Sequence, residues 1–139
     1  MKRNPLFKIH IFANLAEKEI EKRLLSELGI SYSQSMILDF ISNHPEISQR
    51  QVAMERCITP AAVSRHLEVL EEMGFIQRKD REENKREHIV IITNDGQRVV
   101  TIAQNVVEDS VEDLIEDISK GELENIDLIL EKLLRKFRE

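Results

Sequence analysis

One continuous stretch, from Ile47 to Thr93, constrains the fold more than any other part of the chain. It begins with two short segments of helical periodicity separated by a tight turn. Two β-rich segments follow, one on either side of a charged and polar run. Helix, turn, helix and hairpin in this order form a winged helix-turn-helix, whose second helix has the dimensions of a DNA major groove. The sequence therefore predicts a fold that is mainly α with a small two- to three-stranded β-wing.

Capping signals predict where several helices begin. Ser31, Ser48 and Ser119 are each followed three residues later by Gln or Glu, which is the pattern of a capping box. Thr59 before Pro60 predicts the start of the second helix of the helix-turn-helix, because Pro has no N–H to leave unpaired in a first turn. The helix that precedes it is expected over residues 48–57, and Gly74 is expected to end the helix that Thr59 begins.

Apolar spacing predicts helices at both ends of the chain, a first over residues 6–28 and a fifth over residues 94–118. The run Lys79–Glu87 holds no apolar residue, so we expect a loop there that projects into solvent. The predicted organisation is a single domain over residues 1–139, with the winged helix-turn-helix in 30–93 and a helical dimerisation part in 5–29 and 94–139.

The last helix carries a regular apolar stripe. Its members recur every three or four residues, as one face of a helix requires: Leu123, Ile126, Leu130, Leu133 and Phe137. Packing against the first helix of the same chain is one way to remove this stripe from water. A dimer interface built from both ends of the chain, with Phe7 and Ile11 of the first helix, is the other, and we favour it.

The net charge of −6 suits a DNA-binding protein only if the charge is unevenly distributed. Residues 94–139 hold six Lys and Arg against twelve Asp and Glu, so the acidic excess lies in the C-terminal third. Five cations cluster around the wing: Arg78, Lys79, Arg81, Lys85 and Arg86. Phosphate contact needs a local basic surface of this kind, although charges that only solvate a loop give the same pattern.

A helix that enters the major groove presents small and polar side chains near its N-terminus. Arg65 is placed for a bidentate contact with guanine, and an ion pair with Glu68 is the alternative use of its charge. The start of the preceding helix is predicted to bind phosphate, and the wing to contact phosphates or the minor groove. The predicted DNA-binding residues are Ser48, Gln49, Thr59, Ala61, Ser64, Arg65, Arg81, Lys85 and Arg86.

Taken together, these motifs resemble the MarR family of bacterial and archaeal transcription regulators, over nearly the whole chain. The similar fragments are the family's LTxxQ opening of the second helix, its recognition helix and exit, and its wing. In this chain they are Ile30–Gln34, Val63–Arg65, Leu70 with Glu71, Gly74–Arg78, Asn84–Arg86, Ile89–Thr93 and Gly96. Asn84 departs from the family, which usually has an Asp there that orients a wing Arg. Asp80 or Glu83 could take that role.

The resemblance implies a homodimer formed by the first, fifth and sixth helices. It implies a sequence-specific transcription regulator that binds a pseudo-palindromic operator in double-stranded DNA, most often as a repressor of nearby genes. It also implies a small-molecule inducer site between the dimerisation and DNA-binding parts. A different class of function, a winged-helix module that binds protein and no longer binds DNA, stays open because the central block is close to neutral and Asn84 departs from the family.

Other chemistry finds little support in the sequence. Cys57 is either a redox sensor or a small buried side chain at the turn before the recognition helix, and we favour the second. The four histidines are far apart and lack a ligand-like pairing, so we expect no metal and no cofactor. Because a phosphate-binding loop, a GxSxG elbow and an HExxH motif are all absent, we expect no enzyme. The sequence shows neither a signal peptide nor a membrane-spanning run, which predicts a cytoplasmic protein.

Overall fold

The structure is a computed structural model that describes residues 4–138, apart from the side chains of Arg81, Asn84 and Lys85. The helices, including a final 3₁₀ turn, are α1 (Pro5–Leu28), α2 (Tyr32–Asn43), α3 (Gln49–Glu55), α4 (Pro60–Glu72), α5 (Asn94–Ile115), α6 (Lys120–Leu134) and Arg135–Phe137. The strands are β1 (Ile47–Ser48), β2 (Ile76–Arg81) and β3 (Asn84–Ile92). The predicted class, mainly α with a small sheet, is confirmed.

Hydrogen bonds confirm the predicted helix starts. The Oγ of Ser31 accepts a bond of 3.1 Å from the backbone N–H of Gln34, whose Oε1 accepts one of 2.9 Å from the N–H of Ser31. The capping boxes of α3 and α6 make the same reciprocal pair. The Oγ1 of Thr59 accepts a bond of 3.1 Å from the N–H of Ala62. These starts follow from local chemistry, since each cap satisfies N–H groups within three residues of itself.

Two predicted helix ends are wrong. The helix α3 ends at Glu55 and not at residue 57, because Cys57 has a φ of 51° and so leaves the right-handed helical region. The helix α5 ends at Ile115 and not at residue 118. Ser119 has an extended backbone, with φ −70° and ψ 157°, in order to cap α6, so the chain must turn before it.

The sheet is antiparallel in the order β1–β3–β2. The predicted solvent loop over Lys79–Glu87 is wrong, because only Glu82 and Glu83 form the turn between β2 and β3. Backbone N–H and C=O groups pair across strands whatever the polarity of the side chains, so a hairpin exposed on both faces needs no apolar residue. The wing is therefore a long ordered hairpin.

The chain divides into two compact units, one up to Val107 and one from Glu108 onward. In the first, a hydrophobic core draws on α2, α3, α4, the sheet and the start of α5. Its buried members are Ile30, Ile37, Leu38, Ile41, Ile47, Val52, Ala53, Val63, Leu67, Leu70, Ile76, Val90, Val99 and Val100. A second cluster joins α1 to α5 through Ile20, Leu24, Ala103 and Val106. The first of these two clusters includes Val63, Leu67 and Leu70, so one face of α4 packs against it.

The second unit contains α6, in which none of the described residues is buried. Its exposed apolar side chains are Ile126, Leu128, Ile129, Leu130 and Leu134. The N-terminal half of α1, in the first unit, likewise exposes Leu6, Phe7, Ile9, Ile11, Phe12 and Leu15. None of the helices within residues 4–138 is long and apolar enough to cross a membrane.

Candidate nucleic-acid interface

The helix α4 has one buried face and one open face. Val63, Leu67 and Leu70 are fully buried, which fixes the rotation of the helix on the core. The sequence-predicted residues Thr59, Ala61 and Arg65 are exposed, and Ser64 is half-buried between the two faces; the four lie in the first two turns or at the cap. The structure thus brings together small and polar side chains at the N-terminal half of α4, where a groove-reading helix carries them.

Arg65 is exposed on that open face. Within residues 4–138, Arg65 and Glu68 form no ion pair, so the alternative use of its charge is absent there. A guanidinium offers five N–H donors in a fixed fork, which suits the two acceptors of guanine in the major groove. Arg65 can therefore reach a partner outside the chain without first breaking a bond inside it.

The residues at the start of α3 are less accessible than the sequence suggests. Ser48 is only 2% exposed and its hydroxyl bonds with Gln51, so its side chain caps α3; its role as a phosphate contact stays a prediction. Gln49 is half-buried, and its Oε1 is enclosed with no hydrogen-bond partner among the described residues. Arg50, in the first turn of α3, is exposed beside it.

Two of the wing cations, Lys85 and Arg86, lie on an irregular stretch of β3. Asp80 pairs with His88 and Arg81 pairs with Asn84, so residues 85–87 have no opposite residue on β2 and form a bulge. Arg86, in this bulge, is exposed. The side chains of Arg81 and Lys85, both predicted DNA contacts, lie outside the described part of the chain, as does that of Asn84.

Asp80 has a contact that the sequence did not predict. Its Oδ1 lies 2.8 Å from Nδ1 of His88 on the neighbouring strand, and both side chains are exposed. Asp80 was a candidate to replace the family's wing Asp as a partner for Arg, but its described contact is with His88. The two residues face each other because the register places them in one cross-strand pair.

Arg78 belongs to the predicted basic cluster, but it is already bonded within the chain. The backbone N–H of Arg78 donates to Oε2 of Glu71 at 3.0 Å, and Nε and Nη2 donate to Oε1 at 3.3 and 3.1 Å. The bond from the backbone N–H of Arg78 is the main cause that holds the pKa of Glu71 below its ordinary value of 4.5; desolvation opposes it, and the guanidinium lowers the pKa further. Both residues belong to the fragments that resemble the MarR family, but the sequence does not indicate that they bond with each other.

The exit of α4 is fixed to the start of α5. Thr93 donates from its N–H to the carbonyl of Phe75 at 3.0 Å and from Oγ1 to the carbonyl of Gly74 at 2.6 Å, and Oγ1 accepts from the N–H of Gly96 at 3.0 Å. Gly74 ends the recognition helix as predicted, with a φ of 81° that favours Gly. A Cβ on Gly96 would overlap the carbonyl oxygen of Phe75. The joint therefore admits no side chain at residue 96.

Cys57 differs from its predicted environment, because it is exposed and not buried. Its φ of 51° lies in the left-handed region, at the turn between α3 and α4. The expectation of a small buried side chain at this position is therefore wrong. Within residues 4–138, no group of three or more His, Cys, Asp and Glu side chains is arranged to hold a metal ion.

Five of the seven predicted dimer residues are exposed. Phe7 and Ile11 are exposed on α1, and Ile126 and Leu130 on α6. Leu123 and Leu133 are half-buried, and Phe137, in the final 3₁₀ turn, is 87% exposed.

A capped helix with a small polar outer face, a short helix before it and a β-hairpin after it define a winged helix-turn-helix protein. Residues 30–88 match the family model described as MarR family. The uncharacterized HTH-type transcriptional regulator YdgJ of Bacillus subtilis (strain 168) is 30% identical over 94 residues, which are 68% of this chain and 57% of YdgJ. The match thus spans little more than half the length of that relative.

Solved structures share the fold over almost the full chain. The transcriptional regulator BldR from Sulfolobus solfataricus has a TM-score of 0.80 at 27% identity, covering 91% of this chain and 92% of its own. A mutant MarR from E. coli, complexed with operator DNA, has a TM-score of 0.84 at 23% identity and covers 94% of each chain. Residues 30–88 thus match the MarR family, and the relative and the solved structures named here are transcriptional regulators with the same fold.

Proposed function

We propose that the protein binds double-stranded DNA in a sequence-specific manner, as a homodimer on a pseudo-palindromic operator, and represses nearby genes. The observation that carries the proposal is the open N-terminal face of α4, where Thr59, Ala61 and Arg65 are exposed and the opposite face is locked in the core. A rigid helix with this surface can enter the major groove and read base edges. The complex of the E. coli mutant MarR with operator DNA, built on the same fold, supports this proposal.

The exposed apolar surfaces support the homodimer. Many Leu, Ile and Phe side chains of α6 and of the N-terminal half of α1 are exposed to water. Burial stabilises by roughly 25 cal/mol per Å² of apolar surface, so a second copy of the chain would gain from covering these faces. Two copies related by a two-fold axis would also present two α4 helices to two half-sites.

A groove of about 330 Å³ supports a response to a small molecule. It is lined by Asn14, Glu17, Lys18, Glu21, Tyr32 and Ser33, from α1 and the start of α2. Glu21 joins the two helices that line the groove, because its Oε1 accepts a bond of 3.1 Å from the N–H of Tyr32. A ligand in this groove would touch both the helix that bears the exposed apolar face and the helix that supports the winged core. The cytoplasm, where the chromosome of a bacterium or archaeon lies, is the compartment that fits this function.

The charge of the wing favours a second candidate, a protein-binding module. The run Lys79–Glu87 holds four cations and four carboxylates, and the turn at its tip is Glu82–Glu83. A tip of this charge repels phosphate, so the wing contributes less to DNA affinity than a basic wing would. The open face of α4 has no such drawback, which is why DNA binding is the first proposal.

A titration of labelled duplex from upstream of the gene tests the proposal, with fluorescence anisotropy at two salt concentrations and a scrambled duplex for comparison. We expect tight binding to the native duplex that weakens steeply with salt. Arg65→Ala should lose about 1–3 kcal/mol and relax the preference at one base position. Arg98→Ala is the matched control, because Arg98 is an exposed helical Arg that bonds with Asp95. Absence of binding to either duplex at low salt would favour the protein-binding module.

A further inference from the structure

We infer that Glu71 is a positioning residue for DNA binding, which holds the wing at a fixed angle to the recognition helix through Arg78. The inference rests on the proposed function, because it concerns how two DNA-contacting elements are aligned. Glu71 itself is not placed against DNA: it lies in the last turn of α4, whereas the open reading face is at the N-terminal end.

The bonds join Glu71 to the strand and not only to a flexible side chain. One carboxylate oxygen accepts from the backbone N–H of Arg78, and the other accepts from two nitrogens of its guanidinium. The bond to the backbone holds β2 at Arg78, and the paired guanidinium bonds hold the Arg78 side chain against the same carboxylate. Three bonds from one residue to one carboxylate therefore determine the direction in which the hairpin leaves α4.

Helix stability does not account for a carboxylate at this position. Glu71 and Glu72 end α4, and the last turn of that helix holds no basic residue. The partial negative charge at a helix C-terminus disfavours carboxylates. Glu71 therefore weakens the isolated helix, and its bonds to Arg78 offset that cost only when the wing is in place.

The geometry of the hairpin amplifies any change at Arg78. Ile76 of β2 is buried, and the side chains of residues 77–80 are exposed or half-buried as the strand leaves the core. From Arg78 to the turn at Glu82 is about 13 Å at roughly 3.3 Å per residue, so a rotation of about 10° moves the tip by about 2 Å. Hydrogen-bond lengths vary over only roughly 0.5 Å, so such a movement breaks contacts made by the wing.

The charge of this bridge is constant at neutral pH. Because the pKa of Glu71 is lowered in the folded protein, its stabilising effect is present above the ordinary value of 4.5 and is lost only as the pH falls through the lowered pKa. The bridge is thus a fixed support and not a switch in the neutral range.

A double-mutant cycle tests the inference, with Glu71→Ala and Arg86→Ala measured singly and together for operator affinity. Arg86 lies in the wing, so its substitution reports on wing contacts. We expect Glu71→Ala to weaken operator binding by about tenfold, in the range of coupling within one bonded network. Arg86→Ala should weaken binding in the wild-type background but have little further effect when Glu71 is absent. Asp95→Ala is the matched control, because it breaks a carboxylate–Arg pair on α5.

A variant that is less stable would bind the operator more weakly even if Glu71 had no role in aligning the wing. Urea unfolding of each variant is therefore measured alongside operator affinity. The reversed pair Glu71→Arg with Arg78→Glu is a second variant, which keeps the ion pair but loses the bond to the backbone N–H of residue 78, so it should recover only part of the affinity. Equal affinity for Glu71→Ala and wild type, or strictly additive losses in the cycle, would overturn the inference while leaving DNA binding intact. A wild-type protein that fails to bind the operator would overturn the proposed function itself, and with it this inference.

Discussion

The winged-helix core and the last helix of this chain use similar apolar side chains in opposite ways. In the core, Leu67, Leu70 and Val90 are fully buried among residues far apart in sequence. In α6, a stripe of Leu and Ile with equally regular spacing has no buried member among the described residues. Amphipathic periodicity therefore specifies a face that must be covered, but it does not specify what covers it.

The difference has an energetic consequence. Each fully buried Leu, Ile or Val of the core contributes roughly 1.5–3 kcal/mol relative to exposure, so the winged core can stabilise itself. An isolated helix of about 15 residues is marginal in water, and α6 gains little from the burial that stabilises other helices. We therefore expect the winged-helix core to stay folded when the protein is diluted, and α6 to need association with a second copy of the chain.

Leu67→Ala is the strongest test of the core. Truncation at a fully buried site leaves a cavity, and we expect a loss of about 2–5 kcal/mol in the free energy of unfolding. Urea unfolding followed by circular dichroism measures it. Leu128→Ala, the same change at an exposed site of α6, is the control and should cost less than about 0.5 kcal/mol. Equal losses at the two sites would remove the contrast between the regions.

Leu130→Glu tests whether association covers α6. A carboxylate at the centre of an apolar interface is desolvated without a partner, so dimer affinity should fall by about 100-fold or more. Sedimentation or light scattering across a dilution series measures the change. Lys132→Glu places the same carboxylate on another face of α6 and should leave the dimer intact. A Leu130→Glu protein that remains dimeric would place the interface elsewhere.

Gly96→Ala tests the joint between α4 and α5. The added Cβ would overlap the carbonyl oxygen of Phe75 and the side chain of Ile92, so we expect a loss of about 1–3 kcal/mol from overpacking. Gly121→Ala, at a helical site with open space, should be neutral or slightly stabilising. Thermal unfolding of both variants measures the difference. Equal shifts of the two midpoints would contradict the close packing at Gly96.

Thr59→Ala removes the cap of the recognition helix, with an expected cost of about 1 kcal/mol. Thr101→Ala is the same chemical change inside α5, where Ala is the better helix former, so its effect should have the opposite sign. Chemical denaturation of the two variants measures both. A cost at Thr101 equal to that at Thr59 would mean that the cap bond contributes nothing.

The smallest expected effect is the acid sensitivity of α6. The backbone N–H of Ser119, and then its side chain, hold the pKa of Glu122 below 4.5. Ionised Glu122 therefore supports the helix start above pH 4.5, and that support is lost as the pH falls through the lowered pKa. Glu122→Gln keeps the capping box without a charge, so its helical circular dichroism should change less between about pH 5 and about pH 3. Identical acid profiles would contradict this.

The sequence predicted the helix starts well because a cap acts within three residues. Ser31, Thr59 and Ser119 begin their helices as expected, and the order of helices and strands gave the correct fold class. The predictions failed where the outcome depended on segments that meet only after folding. Most of the polar run Lys79–Glu87 lies in strands because β2 pairs with β3 in the folded chain. Ser48 is enclosed because β1 pairs with β3 on the other side.

By itself the sequence determined which residues begin helices, which faces are apolar, and that Arg65 lies on the outer face of a groove-sized helix. Only the tertiary structure decided that Arg78 bonds with Glu71, that Thr93 fixes the exit of α4, and that Cys57 is exposed. The physical reason is one of range. Periodicity and capping are set by neighbours within a turn or two of helix, whereas burial and the pairing of charges depend on which distant surfaces the chain brings into contact.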